Sequence, residues 1–447
     1  MSAFLICIFG FIAAYWAGRR SLAMGCVVVV AVGCSYGIVR ANIGSPFSHF
    51  TFDATLIGLY LAQFVSRKKN GSAVVDDRQL SLWAAFLVVW PALLLLLPFQ
   101  TFMVSLVGLR GNMFMLPALW LGARLNDRDL RLLSVSFAVI NLITLGFAVA
   151  EYFMGIEPFF PYGPTTTTIY ASYDGADHNR IPSTFGNAHS YAAVMCATIP
   201  FLFGAWSQRI GGSYRKALLV AGMGSALLGV LMASTRMGIL LAVLLIAVAS
   251  MTGKLSVWKR AVWVVAVGIL VYGAITNERW QRYKNLGDSG EVTGRIAGSV
   301  NRTFIEILFD YPMGNGLGGG GTSIPYFLAG QVKVPIAVEN EYSRILLEQG
   351  LVGLLGWVGF AIWFLTRRAA FASHPWLAGR RLAWWLCAFG LVTAAISNGL
   401  LTSIPNTFMV MLAIGWVSTK PKPPVIAAVN PPRGSSAVPV EAAAWAR

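Results

Sequence analysis

Four ionisable residues crowd the mouth of an apolar run: Glu339, Glu341, Arg344 and Glu348, in IAVENEYSRILLEQGLVGLLG from Ile336 to Gly356. Charges at a bilayer boundary are costly unless they snorkel, pair or face water, so this density implies a mouth lined by water or substrate. A carboxylate in such a place can take the proton of an attacking hydroxyl. Glu341 and Arg344 are spaced to pair on one helix face, which leaves Glu339 as the freer acid. The alternative chemistry is none at all, an interfacial cap with Glu341 and Arg344 paired.

A second set consists of basic residues on the face opposite most of the positive charge. These are Arg40, Arg110, Arg180, Arg236, Arg279, Arg282, Lys284, Arg295, Arg302, Lys333 and Arg344, and nearly all are arginine. The planar guanidinium binds phosphate oxygens through two parallel charge-assisted bonds, so an outer-face cluster points to a phosphorylated substrate. The competing reading is pairing with lipid headgroups and acidic neighbours. It weighs most on Arg302, four residues before Glu306, and on Arg295, four after Glu291. Arg236, in ASTRMGILLA, sits on a tight connection between two spans with no acid near it in sequence. Arg180 directly precedes a span and follows Asp177, so pairing competes there.

The elements that must hold these groups are membrane helices. Of the 447 residues 56% are hydrophobic and 12% charged, and the mean hydropathy is +0.65, which excludes a soluble domain of this size. The apolar runs are long enough to span a bilayer and do not alternate as barrel strands would. A net charge of +16 could mean nucleic acid, but the charge follows the membrane. Short loops alternate between Arg/Lys-rich (Arg19, Arg20; Arg67, Lys68, Lys69; Arg124, Arg128, Arg131) and nearly uncharged, the positive-inside pattern. The run from Ala3 to Gly18 has its basic flank behind it, which places the N-terminus outside and reads as a retained helix. The five cysteines lie in apolar runs and the four histidines are scattered, so the sequence implies inert thiols, no metal and no cofactor.

The expectation is an all-α, polytopic transmembrane helix bundle of about thirteen spans, at 2-18, 21-39, 51-66, 80-98, 104-122, 132-154, 187-207, 217-233, 237-252, 260-276, 340-365, 382-400 and 405-419. Residues 1-419 form one domain, and the Pro-rich segment 420-447 reads as a disordered cytoplasmic tail. Asp53, at the start of the third span, reads as a solvated cap outside the site. Two outer loops are long. The first, 155-186, mixes aromatics with Thr, Asn, Asp and His, a blend that suits sugars and ordinary exposed loops alike. The second, 277-339, carries an amphipathic helix with Val300, Phe304, Ile307, Leu308 and Tyr311 on one face. It also contains GNGLGGGG, Gly314 to Gly321, which reads as a flexible hinge because no strand precedes it and no P-loop Lys is present.

Four patches together resemble the bacterial O-antigen ligase and polymerase superfamily: RIPSTFGNAHSYAAVMCATIP from Arg180, STRMGILLA from Ser234, GRIAGSVNRTFIEILFDYPMGNGLGGG from Gly294 and NEYSRILLEQGLVGLLG from Asn340. The resemblance covers about Arg180 to Leu365. It implies a metal-independent, inverting glycosyltransferase at the outer face of the bacterial inner membrane, with a glycan on undecaprenyl pyrophosphate as donor. Carried over, Arg180, Arg236 and Arg295 match the family's pyrophosphate-holding arginines, and Arg302 joins them as a substrate-binding residue. The position that activates the acceptor falls on Glu339, supported by Asn340, Glu341 and Tyr342. Ligases of this family read His-Asn there, whereas this chain reads Glu339-Asn340, a departure toward a repeat-unit polymerase.

The leading expectation is therefore polymerisation of lipid-linked repeat units of an exopolysaccharide, capsule or O-antigen. Its partners would be the lipid-linked oligosaccharide, the growing glycan acceptor, a chain-length regulator and the bilayer, with no nucleic acid. A ligase acting on lipid A-core or another acceptor comes second. A transporter or flippase of lipid-linked sugars comes third, since it would need broken helices and charges at mid-bilayer.

Overall fold

The computed structural model describes residues 2–70, 78–171, 179–208, 212–252, 268, 303–321, 324–336, 338, 340–367 and 376–419. Among them the chain is helical, with no β-strand: α1 (Ser2–Arg20), α2 (Leu22–Asn42), α3 (Thr51–Asn70), α4 (Arg78–Leu94), α5 (Phe102–Met113), α6 (Ala118–Arg124), α7 (Asp127–Met154), α8 (Thr167–Tyr170), α9 (Ala188–Ser207), α10 (Ser213–Met232), α11 (Arg236–Thr252), α12 (Thr303–Asp310), α13 (Glu341–Thr366), α14 (Leu377–Thr393) and α15 (Asn406–Ser418). Seven stretches are long and apolar enough to cross a membrane: α1, α2, the α5–α6 pair, α7, α9, α10 and α13. Shorter apolar helices are α4, α11 and α15. The architecture fits a lipid bilayer, with each helix satisfying its own backbone.

Side-chain caps fix where several helices begin. Asn126 accepts from the Arg128 and Asp129 backbone N–H groups, and Asp129 reciprocates to close a capping box ahead of α7. Asn187 accepts from Ser190 N at 2.8 Å and Asn340 from Ser343 N at 2.7 Å, so α9 and α13 start at defined residues.

α9 and α15 are apolar on all sides and buried almost throughout, the property of central helices. α6 lies against α15 with glycine at each contact. A Cβ at Gly122 would lie 1.9 Å from the Leu412 carbonyl oxygen, and one at Gly415 2.0 Å from that of Leu119. α1 is peripheral, with Phe4, Phe9 and Trp16 exposed on the surface that lipid would cover.

Several expected spans differ in detail. The run expected at 104-122 is two helices, broken by turns at 114–117 where Pro117 precedes α6. α4 ends at Leu94 and α14 at Thr393, each followed by non-helical turns. The span expected at 260-276 and the tail 420-447 lie outside the described residues, apart from 268.

In the 277–339 segment, α12 and the residue after it turn Phe304, Ile307, Leu308 and Tyr311 toward the protein core while Glu306 and Asp310 are exposed, so the amphipathic face that the sequence assigns to the outer membrane surface packs on protein. Val300 lies outside the described residues. The GNGLGGGG segment corrects its sequence reading. Residues 314–320 are buried, and Gly314, Gly316, Gly318 and Gly321 hold φ between 70° and 86°. This is close-packed backbone, not a hinge: a Cβ at Gly108 on α5 would lie 2.2 Å from Gly318 N. Cys26, Cys34, Cys196 and Cys387 are buried free thiols, and Cys7 is half-buried.

Candidate functional site

The first two turns of α13 hold a fully buried polar array. Arg344 donates from Nε to Glu341 Oε1 at 2.7 Å and from Nη1 to Glu348 Oε2 at 2.8 Å and Asn112 Oδ1 at 3.0 Å. Asn112 Nδ2 donates to Glu348 Oε2 at 2.5 Å, and Gln349 Nε2 to Asn112 Oδ1 at 2.8 Å. Glu341, Arg344 and Glu348 each have 0% exposure, so no water screens these charges. α13 then kinks at Gly350, whose φ of 69° lets Leu351 N bond to the Pro312 carbonyl at 3.0 Å. Asn315 N donates to Leu347 O at 2.6 Å, which docks the glycine-rich segment onto the kink.

The other face of this array is the non-helical segment between α14 and α15. Glu341 Oε2 accepts from Gly399 N at 2.7 Å and Leu400 N at 3.1 Å, and Glu341 N donates to Ala394 O and Ser397 O. Asn398 Nδ2 donates to Val338 O at 2.7 Å, and Tyr342 Oη donates to Leu391 O in the last turn of α14 at 2.8 Å. Four residues beyond Gly399, Ser403 Oγ meets Ser190 Oγ in the first turn of α9 at 2.9 Å. Gly238 in the first turn of α11 is so close to α9 that a Cβ there would lie 2.8 Å from Ala192 Cβ. The 394–405 segment thus ties the starts of α9 and α13 together, and α11 begins against α9.

The sequence-predicted residues fall around this tie. Arg180 precedes α9, and its Nη1 lies 2.8 Å from His189 Nε2 in the first turn of that helix. The loop that carries it is braced from below: Ser183, held at φ 53°, donates its N–H to the buried carboxylate Glu151 at 2.8 Å. Arg236 opens α11, half-buried, immediately after Ser234 at φ 51° and buried Thr235. It forms no ion pair with any described residue. Arg180, Arg236, Asn340, Glu341 and Tyr342 therefore share one end of the bundle. Glu339, Arg295 and Arg302 lie outside the described residues.

Glu341 is not available as an unpaired acid, because each of its oxygens is engaged. Asp53 corrects its reading as a solvated cap: it is 7% exposed and pairs with Arg110 Nε at 2.7 Å. Asn112, Gln349 and Glu151 were missed. Asn112 and Glu151 stand inside or beside apolar runs and Gln349 follows Glu348 at the kink, signals that sequence gives without naming the partner. His49, in the 3-10 turn Pro46–Phe50 ahead of α3, was missed as well. Burial first, then the Arg40 and Arg110 guanidiniums, lower its pKa from 6.5 to about 4.

Among the described residues no group of three or more His, Cys, Asp or Glu side chains is placed to hold a metal ion. No protein-family model matches the chain, and no curated protein matches it.

Proposed function

We propose that the chain is a polysaccharide polymerase of the bacterial inner membrane, with about thirteen spans and its site on the periplasmic face. It would join lipid-linked oligosaccharide repeat units of an exopolysaccharide, capsule or O-antigen. The observation that carries this reading is the tie through the 394–405 segment, which gathers Arg180, Arg236 and the start of α13 at one end of the bundle. Cations there and a carboxylate-rich helix mouth are the two halves that glycosyl transfer from a pyrophosphate carrier needs.

In this reading the acceptor hydroxyl oxygen attacks the anomeric carbon of the donor sugar. The bond from that carbon to the phosphate oxygen breaks, and undecaprenyl pyrophosphate leaves with the electron pair. Arg180 and Arg236, with Arg295 and Arg302, meet the charge that develops on the pyrophosphate, so protein cations stabilise the leaving group. Glu339 takes the proton from the acceptor hydroxyl, as the base does in inverting glycoside chemistry. Arg344 and Glu348 act one layer down, holding Glu341 and the helix start in place. The growing glycan is the acceptor, and a chain-length regulator is a natural partner.

The test is the lipid-linked saccharide content of a strain lacking the gene. Accumulation of single lipid-linked repeat units supports polymerisation. Accumulation of complete but untransferred polymer makes the protein a ligase, and unchanged units confined to the cytoplasmic leaflet make it a flippase.

A further inference from the structure

A second cationic cluster forms where the end of α2, the Pro46–Phe50 turn, the start of α3 and α5 meet, with Arg40 also against Gly186 of the loop that precedes α9. Tyr36 stands at its centre. Its hydroxyl donates to the His49 carbonyl at 3.2 Å, and the Arg40 guanidinium carbon lies 5.3 Å from its ring centroid. Arg110 reaches the same His49 carbonyl through Nη2 at 3.2 Å and holds Asp53 Oδ1 through Nε. Arg40 is fixed at its far end, where Nη2 donates to Thr165 O at 3.2 Å.

Among the described residues three side-chain atoms of this cluster are buried without a hydrogen-bond partner: Arg40 Nε, His49 Nε2 and Asp53 Oδ2. A buried polar atom left unbonded costs roughly 1–3 kcal/mol, so three in one cluster point to an occupant. Among the described residues the cluster holds two guanidiniums against one carboxylate, and the imidazole is neutral at pH 7, so the excess charge is positive. Arg40 Nε–H and the Nε2–H tautomer of His49 are donors, whereas Asp53 Oδ2 accepts. An occupant that matches them carries an oxyanion beside a hydroxyl. Tyr326 and Phe327 close over His49 with ring centroids 5.7 and 5.6 Å away, and the partly exposed Tyr326 offers an aromatic face.

We propose that Arg40 and His49 form a further subsite for an oxyanion borne by the saccharide substrate, with Asp53 taking a neighbouring hydroxyl. The oxyanion is the carboxylate of an acidic sugar or a phosphate of the carrier. Only the source of the oxyanion rests on the lipid-linked substrate proposed above. Guanidinium and imidazole bind either group by charge-assisted hydrogen bonds.

The experiment uses the full chain in detergent and reads binding by thermal stabilisation, without turnover, so a chain that fails to polymerise can still pass. The probes are inorganic pyrophosphate, glucuronate and neutral glucose. Wild type binds at least one oxyanion in preference to glucose, and Arg40→Gln or His49→Phe weakens it about tenfold or more. Selective weakening of glucuronate assigns the site to a sugar carboxylate; selective weakening of pyrophosphate assigns it to the carrier. Arg40→Lys keeps the charge without Nε and is weakened as well, which supplies the reading if Arg40→Gln does not fold. Wild-type affinity for both oxyanions in the Arg40 variants, or no oxyanion binding by wild type, overturns the proposal.

Discussion

Arg344 and Glu348 meet at 2.8 Å one turn apart on α13, with neither side chain more than 1% exposed. Since Glu341 holds the same guanidinium at 2.6 to 2.7 Å, one cation serves two carboxylates in a place water does not reach. Removing one partner of a buried pair strands the remaining charge and costs roughly 3–5 kcal/mol. Arg344→Leu should therefore lose folded protein, read as the monodisperse fraction in detergent. Glu348→Gln keeps the shape and most hydrogen bonds and should be milder. An Arg344→Leu variant as stable as wild type would show that the array does not hold the helix mouth.

His49 predicts a pH dependence. Its pKa is about 4 in the folded chain, below the ordinary 6.5, so between these values the unfolded chain binds more protons. The contribution from neutral His49 is complete above pH 6.5 and is lost as pH falls toward 4. Thermal midpoints of wild type and His49→Gln should be parallel above pH 6.5. Below it wild type should fall more steeply, and parallel curves throughout would remove the imidazole from its buried cationic setting.

Arg236 separates charge from geometry. Arg236→Lys retains a cation but not the two-pronged donor, so it should lose much of the proposed polymerising activity at normal abundance in the membrane. Arg236→Ala should lose more, by about 100-fold or beyond, as when a donor to developing charge is removed. Normal product from Arg236→Ala at normal abundance would end its assigned role.

The helical class and most helix positions were legible because each apolar run is a local property. The Glu341–Arg344 pair was legible for the same reason, three residues apart on one helix. Asn112 was not, since its contacts with Arg344 and Glu348 cross more than 230 positions of sequence. Asp53 was misread because a carboxylate at a helix start looks the same whether it faces water or Arg110. The glycine-rich segment was misread for a related reason: composition cannot distinguish backbone that moves from backbone that needs no Cβ to approach α5 and the α13 kink. The 394–405 segment looked like the end of a span, yet its free N–H groups are what Glu341 binds.

The inside-outside assignment is tested by cysteine labelling in a Cys7→Ser background, since the other native thiols are buried. Tyr162→Cys, at a position 80% exposed, should react with a membrane-impermeant maleimide in intact spheroplasts. Arg20→Cys, at the basic end of α1, should react only after the membrane is opened. The reverse pattern would move the Arg180 and Arg236 end to the cytoplasm and remove the basis for a periplasmic reaction.

Glycosyl transfer itself is tested with purified protein, undecaprenyl-pyrophosphate-linked repeat units from the native host and excess EDTA, following product length on a gel. A ladder of longer lipid-linked glycans is expected despite the chelator. Glu339→Gln should slow extension by about 100-fold or more, the scale of a lost general base. Failure to extend any lipid-linked unit by folded protein, with or without divalent metal, would contradict the assignment of glycosyl transfer to this chain.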